Sequence, residues 1–178
     1  FYNQDVFEQA GVDAAKIRTW DDYYRAAKKL KENGVYIAAD DGDASFYNAM
    51  IWLAGGRPYN TSHDGKEVSI TLNTDTGTQE FTRFWQQMID EDLVNTRLDT
   101  WSDDWKQALG SGTVASLFAG AWMPSLLLAD VPGTAGLWRV AQMPTAHGNL
   151  TNAENGGSAL GVLSSSRRPE ASWRFIEY

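Results

Sequence analysis

Residues 19–39 read TWDDYYRAAKKLKENGVYIAA, and this stretch decides the fold class. Thr19 followed three residues later by Asp22 has the form of a capping box, in which a hydroxyl and a carboxylate satisfy backbone N–H groups that a helix start leaves free. Trp20, Tyr23, Tyr24, Ala27 and Leu30 then recur at helical spacing and give one apolar face. Lys28, Lys29 and Lys31 fall near the end, where a helix carries partial negative charge. Asn33-Gly34 is a stop signal. Val35 to Ala39 is a short apolar run between turn signals, the pattern of a buried strand. A helix over 20–32 feeding a strand over 35–39 is half of an α/β repeat.

The alternation continues on both sides. Residues 3–10 form a short helix with Val6, Phe7 and Ala10 inward, ended at Gly11. The polar loop Asp40-Asp41-Gly42-Asp43 leads into a helix over 46–54, apolar nearly all round and closed by Gly55-Gly56. Residues 60–73 read as a strand pair turning at Asp64-Gly65, with Val68, Ile70 and Leu72 alternating. Residues 75–90 place Phe81, Phe84, Trp85, Met88 and Ile89 on one helical face. Ser102 caps a further helix bearing Trp105, Ala108 and Leu109, which Gly110-Ser111-Gly112 ends. Strands are expected over 113–119, 137–143 and 157–164. The class is α/β.

Composition removes several functions. The chain has 178 residues, of which 43% are hydrophobic and 21% charged, enough to bury a core. Fifteen Lys and Arg against 23 Asp and Glu leave a net charge of -8, the wrong sign for a nucleic-acid binder that must neutralise phosphates. There is no cysteine, hence no disulfide framework or thiolate metal site. No run approaches the roughly 18 apolar residues of a membrane span.

No phosphate-cradling glycine motif occurs, and Gly156-Gly157-Ser158 lacks the trailing Gly of a nucleophile elbow. His63 and His147 stand apart in loops. Asp40, Asp41 and Asp43 lack the Gly and closing Glu of a calcium loop, so a solvated acidic loop is the simpler reading. No cofactor or metal is expected. One enzymatic reading stays open: Asp43 and Glu154 as a paired-carboxylate glycoside hydrolase site, since only the fold brings such a pair together.

Aromatic residues are abundant: eight Trp, seven Tyr and seven Phe. They serve either a packed core or a ligand surface of flat faces. Trp20, Trp85, Trp105 and Trp173 share helical faces with apolar residues and read as packing.

Several segments, in order, resemble the solute-binding proteins of sugar ABC importers, the family of the maltose-binding protein. Tyr2 to Asp13, YNQDVFEQAGVD, is similar to that family's YNKDLFEKAGLD. Thr19 to Tyr23 and Ala26 to Leu30 are similar to its TWDEY and AAKKL. Gly110 to Ser116, Gly120-Ala121-Trp122, Val140 to Pro144 and Gly156 to Val162 resemble its SGKVAM, GxW, VAPLP and GGSxLAV. Pro169 to Tyr178 resembles PEAAWKFIEY. Thr113 and Ser116 depart from the usual Lys and Met.

The resemblance implies an α/β lobe of a two-lobed periplasmic-binding-protein-like fold of the class II type, hinged to close on a sugar. Residues 1–142 would form most of the second lobe. Residues 143–178 would cross the hinge near Met143-Pro144 and enter the other lobe. The chain is therefore expected to be a piece of a longer protein. It implies no enzyme, a carbohydrate ligand, hand-over to ABC permease subunits, and a periplasmic or extracellular location, with lipid anchoring to the membrane as one form of tether. A stand-alone protein-interaction module is the other reading.

A sugar presents an apolar C–H face and a polar hydroxyl rim, which call for an aromatic plate and for amide or carboxylate partners. Trp122 follows a strand and Gly120, at the strand's carboxyl end, where α/β sheets place their clefts. It is the expected plate, with a core role as the alternative. Asp43, beside Phe46 and Tyr47 on a turn that the resemblance aims at the cleft, is a hydroxyl acceptor or a helix cap. Trp101 is a second plate or a core anchor. Asn155, Gly157 and Ser158 would close over the sugar from the other lobe.

Overall fold

The structure, a computed structural model, describes residues 1–153 and 158–178. In chain order its elements are β1 (Tyr2–Asn3), α1 (Gln4–Gln9), α2 (Trp20–Glu32), β2 (Ala38–Ala39), α3 (Ala44–Leu53), β3 (Tyr59–Thr61) and β4 (Val68–Ile70). Then come α4 (Thr76–Asp90), β5 (Val94–Asn95), α5 (Asp103–Ser111), α6 (Met123–Asp130), β6 (Trp138–Arg139) and α7 (Pro169–Glu177). Short 3-10 turns span Ala14–Lys16 and Pro132–Thr134.

Short extended segments lie side by side. β5 pairs with β2 in parallel, Ala38 opposite Val94 and Ala39 opposite Asn95. On the other side of β2, Tyr36 bridges Val114 in parallel. Ser116 then bridges Tyr2 antiparallel, and β1 pairs antiparallel with β6. Backbone bonds close the seams: Ser116 N–H to the Ile37 carbonyl at 2.9 Å and Asn3 N–H to the Ala115 carbonyl at 2.8 Å. The order is thus 94–95, 36–39, 113–117, 1–3, 138–139, with the first three segments parallel. The hairpin of β3 and β4 stands apart from them.

The helices form where local chemistry places them. The capping box of α2 is complete: the Thr19 side chain accepts the Asp22 N–H, and Asp22 accepts the Thr19 N–H. α3 and α4 pack together around Phe81, Met50, Ile51 and Met88, all fully buried with Leu30 and Ile37. Their approach demands glycine: a Cβ on Gly77 would lie 2.3 Å from the Gly56 nitrogen. A second cluster joins Trp105, Leu109, Val114, Leu117, Met123 and Leu127 under α5 and α6.

The strands are shorter than the apolar runs predict. Residues 113–119 are held by isolated bridges, and 137–143 contributes only β6. Residues 158–164 form no strand, because no described segment lies beside them, and Leu160 and Leu163 stand exposed. The sequence reading places no helix at α6; Pro124 stands in its first turn, where a proline gives up an N–H that has no partner anyway. Trp20, Trp85 and Trp105 are buried as expected. Trp173 is not: it is half-exposed on α7, because no described residue packs over that face. After residue 142 the chain lies across the start of α2, where the Thr145 N–H donates to the Arg18 carbonyl and the Trp20 N–H to the Thr145 carbonyl.

Candidate functional site

The three parallel segments end on one side, and the loops that leave them meet there. Residues 40–45 follow β2, residues 96–101 follow β5, and residues 118–123 follow the 113–117 segment. Together they line a cavity of about 250 Å³ with Asp41, Asp43, Phe46, Trp101, Phe118 and Trp122 in its wall. Placement outside the carboxyl ends of parallel strands is where open α/β sheets bind ligands.

The aromatic part of that wall is a bent floor. Trp101 and Trp122 have ring centroids 5.6 Å apart and planes inclined by 39°. Both indoles are about half exposed, at 50% and 46%. A ring held between two planes needs about 7 Å, two contacts of 3.5–4.0 Å. These indoles are too close for that and present adjoining faces instead. Trp101 rests on the buried Trp105, centroids 5.2 Å apart. Trp122 stands at the N-cap of α6, anchored by the buried Met123 beside it. Phe118 lies almost parallel to Phe46, at 5.8 Å and 23°, and touches Tyr23 at 5.4 Å. Phe46, Phe118 and Trp122 also face a larger cavity of about 700 Å³, whose wall includes Gln142, Thr151 and Asn152.

The acidic loop is wired into the fold. Asp40 accepts the Trp85 indole N–H at 2.6 Å, tying the loop to α4. Asp41 accepts the Thr100 N–H at 2.8 Å and the Thr100 hydroxyl. Asp43 caps α3, accepting the Ser45 N–H at 3.0 Å and the Ser45 hydroxyl. The Thr100 hydroxyl above all holds the Asp41 carboxyl below the usual carboxylate range, and the Ser45 hydroxyl does the same for Asp43. Both stay ionised at neutral pH, as acceptors of hydroxyl protons. Among the described residues no cluster of His, Asp and Glu has the form of a metal site.

Of the residues singled out in the sequence, Asp43, Phe46, Trp101 and Trp122 come together here. Tyr47 does not. One residue along a helix turns the side chain by about 100°, and Tyr47 faces α4, its hydroxyl 2.6 Å from the Thr82 hydroxyl and its ring on Phe81. Ser158 is exposed and lines neither cavity. Asn155, Gly157 and Glu154 lie outside the described residues, so the Asp43–Glu154 pair has no geometry here. Asp43 is a helix cap and also lies in the cavity wall, so its two readings are compatible. Phe118 and Asp41 line the cavity as well, and the sequence reading gives neither a place in a binding site. Phe118 closes an apolar run and looks like core, and Asp41 looks like one of three solvated acids.

The family profile described as bacterial extracellular solute-binding protein matches residues 1–178. An arabinooligosaccharide-binding protein of Bacillus subtilis (strain 168) is 24% identical over 180 residues, covering all of this chain and 41% of the relative. A lactose-binding protein of Rhizobium radiobacter is 26% identical over 182 residues, covering 99% of this chain and 41% of the relative. Among solved structures, the ABC transporter associated binding protein of B. animalis subsp. lactis Bl-04, in complex with β-1,6-galactobiose, is 52% identical with a TM-score of 0.91. It covers 99% of this chain and 44% of that one. The galacto-N-biose-/lacto-N-biose I-binding protein of Bifidobacterium longum, in complex with lacto-N-biose, is 25% identical with a TM-score of 0.82, covering 99% and 44%. The chain spans about two fifths of the length of the curated relatives it matches.

Proposed function

Because this chain belongs to the family of bacterial extracellular solute-binding proteins, we propose that it is the ligand-binding lobe of the substrate receptor of a sugar ABC importer. Its ligand is a mono- or oligosaccharide held in a cleft between two lobes. Residues 1–142 form most of one lobe, and residues 143–178 cross towards the other. The observation that carries this reading is the floor of Trp101 and Trp122 beside the Asp43 carboxylate.

The indoles cover the apolar C–H faces of sugar rings and bury area there. Asp43, capping α3 at the cavity wall, accepts hydroxyl protons as a charged acceptor, stronger than a neutral one. Hydroxyls are neutral, so a chain of net charge -8 pays no repulsion for binding them. Asn155, Gly157 and Ser158 belong to the opposing side in this reading. Binding without turnover is part of the proposal, supported by a family described as solute-binding proteins. Release to membrane permease subunits, and retention outside the cytoplasmic membrane by a lipid anchor, belong to the proposal and rest on the family alone.

Titration calorimetry of the intact protein against a sugar panel tests it. The panel begins with β-1,6-galactobiose, the ligand of the 52% identical relative. Saturable binding of one neutral saccharide, with no release of product from a chromogenic glycoside, is the expected result. Binding to no saccharide, or glycoside turnover that disappears in Asp43→Asn, overturns it.

A further inference from the structure

Asp41 sits on the loop after β2, and its partner Thr100 on the loop after β5. One oxygen of Asp41 accepts the Thr100 N–H at 2.8 Å and the Thr100 hydroxyl, and the other accepts the Asp43 N–H at 3.1 Å. A single carboxylate therefore joins two of the loops that form the cavity wall. The next residue, Trp101, has φ of 72°. That is the left-handed region, which a bulky side chain adopts only where its surroundings force it. On the far side, the Ser102 N–H donates to the Asp99 carbonyl at 3.1 Å and Ser102 caps α5. The strained residue is held from both ends, while its indole remains half exposed beside Trp122.

We propose that Asp41 is a positioning residue for the saccharide site. By gripping Thr100 it fixes Trp101 in the left-handed conformation that lays its indole next to Trp122 before any ligand arrives. The site then takes a saccharide long enough to cover both faces, and Asp41 acts on it through Trp101. This inference rests on the sugar-binding reading of the site.

The test uses the intact protein and has one readout that needs no sugar. Two indoles this close couple as an exciton pair in circular dichroism, and because Trp101 also couples to Trp105 at 5.2 Å, the component lost in both Trp101→Ala and Trp122→Ala defines the Trp101–Trp122 signal. Asp41→Ala should abolish it, whereas Asp41→Asn, which keeps an acceptor for the Thr100 N–H, should keep most of it. Thr100→Val, which leaves the carboxylate in place, should weaken it and serves if Asp41→Ala folds poorly. With β-1,6-galactobiose as probe, Asp41→Ala should bind about tenfold more weakly, the loss expected when only about a tenth of molecules hold the competent orientation. That loss should vanish in a Trp101→Ala background, because the two changes remove one feature.

An unchanged exciton signal in Asp41→Ala overturns the proposal. Additive losses in the double variant, or an equal loss in Asp41→Asn, do so too and make Asp41 a direct sugar contact. If Trp101→Ala and Trp122→Ala both leave binding intact, the sugar site itself is misplaced, and the exciton signal still decides whether Asp41 positions Trp101.

Discussion

A Cβ on Gly120 would lie 2.7 Å from Nε1 and 3.0 Å from Cδ1 of Trp122. The Trp122 indole is thus folded back over a residue with no side chain, two positions earlier in the same loop. Its φ is not in the left-handed region, so the requirement here is space rather than backbone freedom. Any larger residue must push the indole off that bed and change its angle to Trp101. Gly120→Ala should therefore weaken saccharide binding by about 1–3 kcal/mol, within the range for disturbing a central aromatic anchor. Stability should barely change, because the indole is half exposed. Calorimetry and thermal melting on the same samples check both halves. A large drop in melting temperature with normal affinity would make Gly120 a folding residue only.

Removing the plate outright gives a larger effect. Trp122→Ala should cost about 2–4 kcal/mol of binding, the loss for a large aromatic anchor in a desolvated site. Trp122→Phe, which keeps a smaller flat face, should recover part of it. Trp122 lines both cavities, so unchanged affinity in a folded Trp122→Ala protein would remove it from the site altogether.

Asp43 has two jobs that separate by substitution. Asn is as good a helix cap as Asp, so Asp43→Asn should leave chemical denaturation almost unchanged, whereas Asp43→Ala should cost about 1 kcal/mol of stability. For binding the grouping differs: both variants lose the charged acceptor and should lose about 1.5–3 kcal/mol of affinity. If Asp43→Asn binds sugar like the parent, Asp43 is a cap alone.

Much of this was legible before any coordinates, and the particular residues show why. The capping box at Thr19 and Asp22, the Gly112 helix end and the apolar faces of α2 and α4 are local signals, each decided within a few residues. The place of Trp122 at the end of the 113–117 segment was legible because a Gly-Ala-Trp after an apolar run is local too. The Asp41–Thr100 and Asp40–Trp85 bonds could not: their partners are 59 and 45 residues apart and meet only once parallel strands align their loops. Strand lengths were overestimated because an apolar run reports burial, while a strand also needs a neighbour for its backbone. The resemblance aims the whole 43–47 turn at the cleft, whereas the helical rotation between Phe46 and Tyr47 turns the Tyr47 side chain to α4.

Asp22 gives a prediction in pH. Its carboxylate accepts the Thr19 N–H at 2.9 Å, the Thr19 hydroxyl at 2.9 Å and the Arg18 N–H at 3.1 Å, and Arg25 adds an ion pair at 2.6 Å. The Thr19 backbone bond is the largest of the influences that lower its pKa, from 3.8 to about 2. A group whose folded pKa lies below its unfolded one stabilises the fold fully above the unfolded value and loses that contribution as pH falls through the folded value. The window therefore runs from 3.8 down to about 2, and the Asp22 contribution is untouched by small changes in pH around neutrality. Asp22→Asn keeps the side-chain shape but cannot titrate. It should be less stable than the parent at neutral pH, and the gap between the two denaturation midpoints should close as pH falls through that window. Other carboxylates with lowered pKa, among them Asp41, Asp43 and Asp75, titrate in both proteins and cancel in the comparison. A gap that stays constant down to about pH 2 would mean that Asp22 has the same pKa folded and unfolded, so that its hydrogen bonds do not favour the charged form.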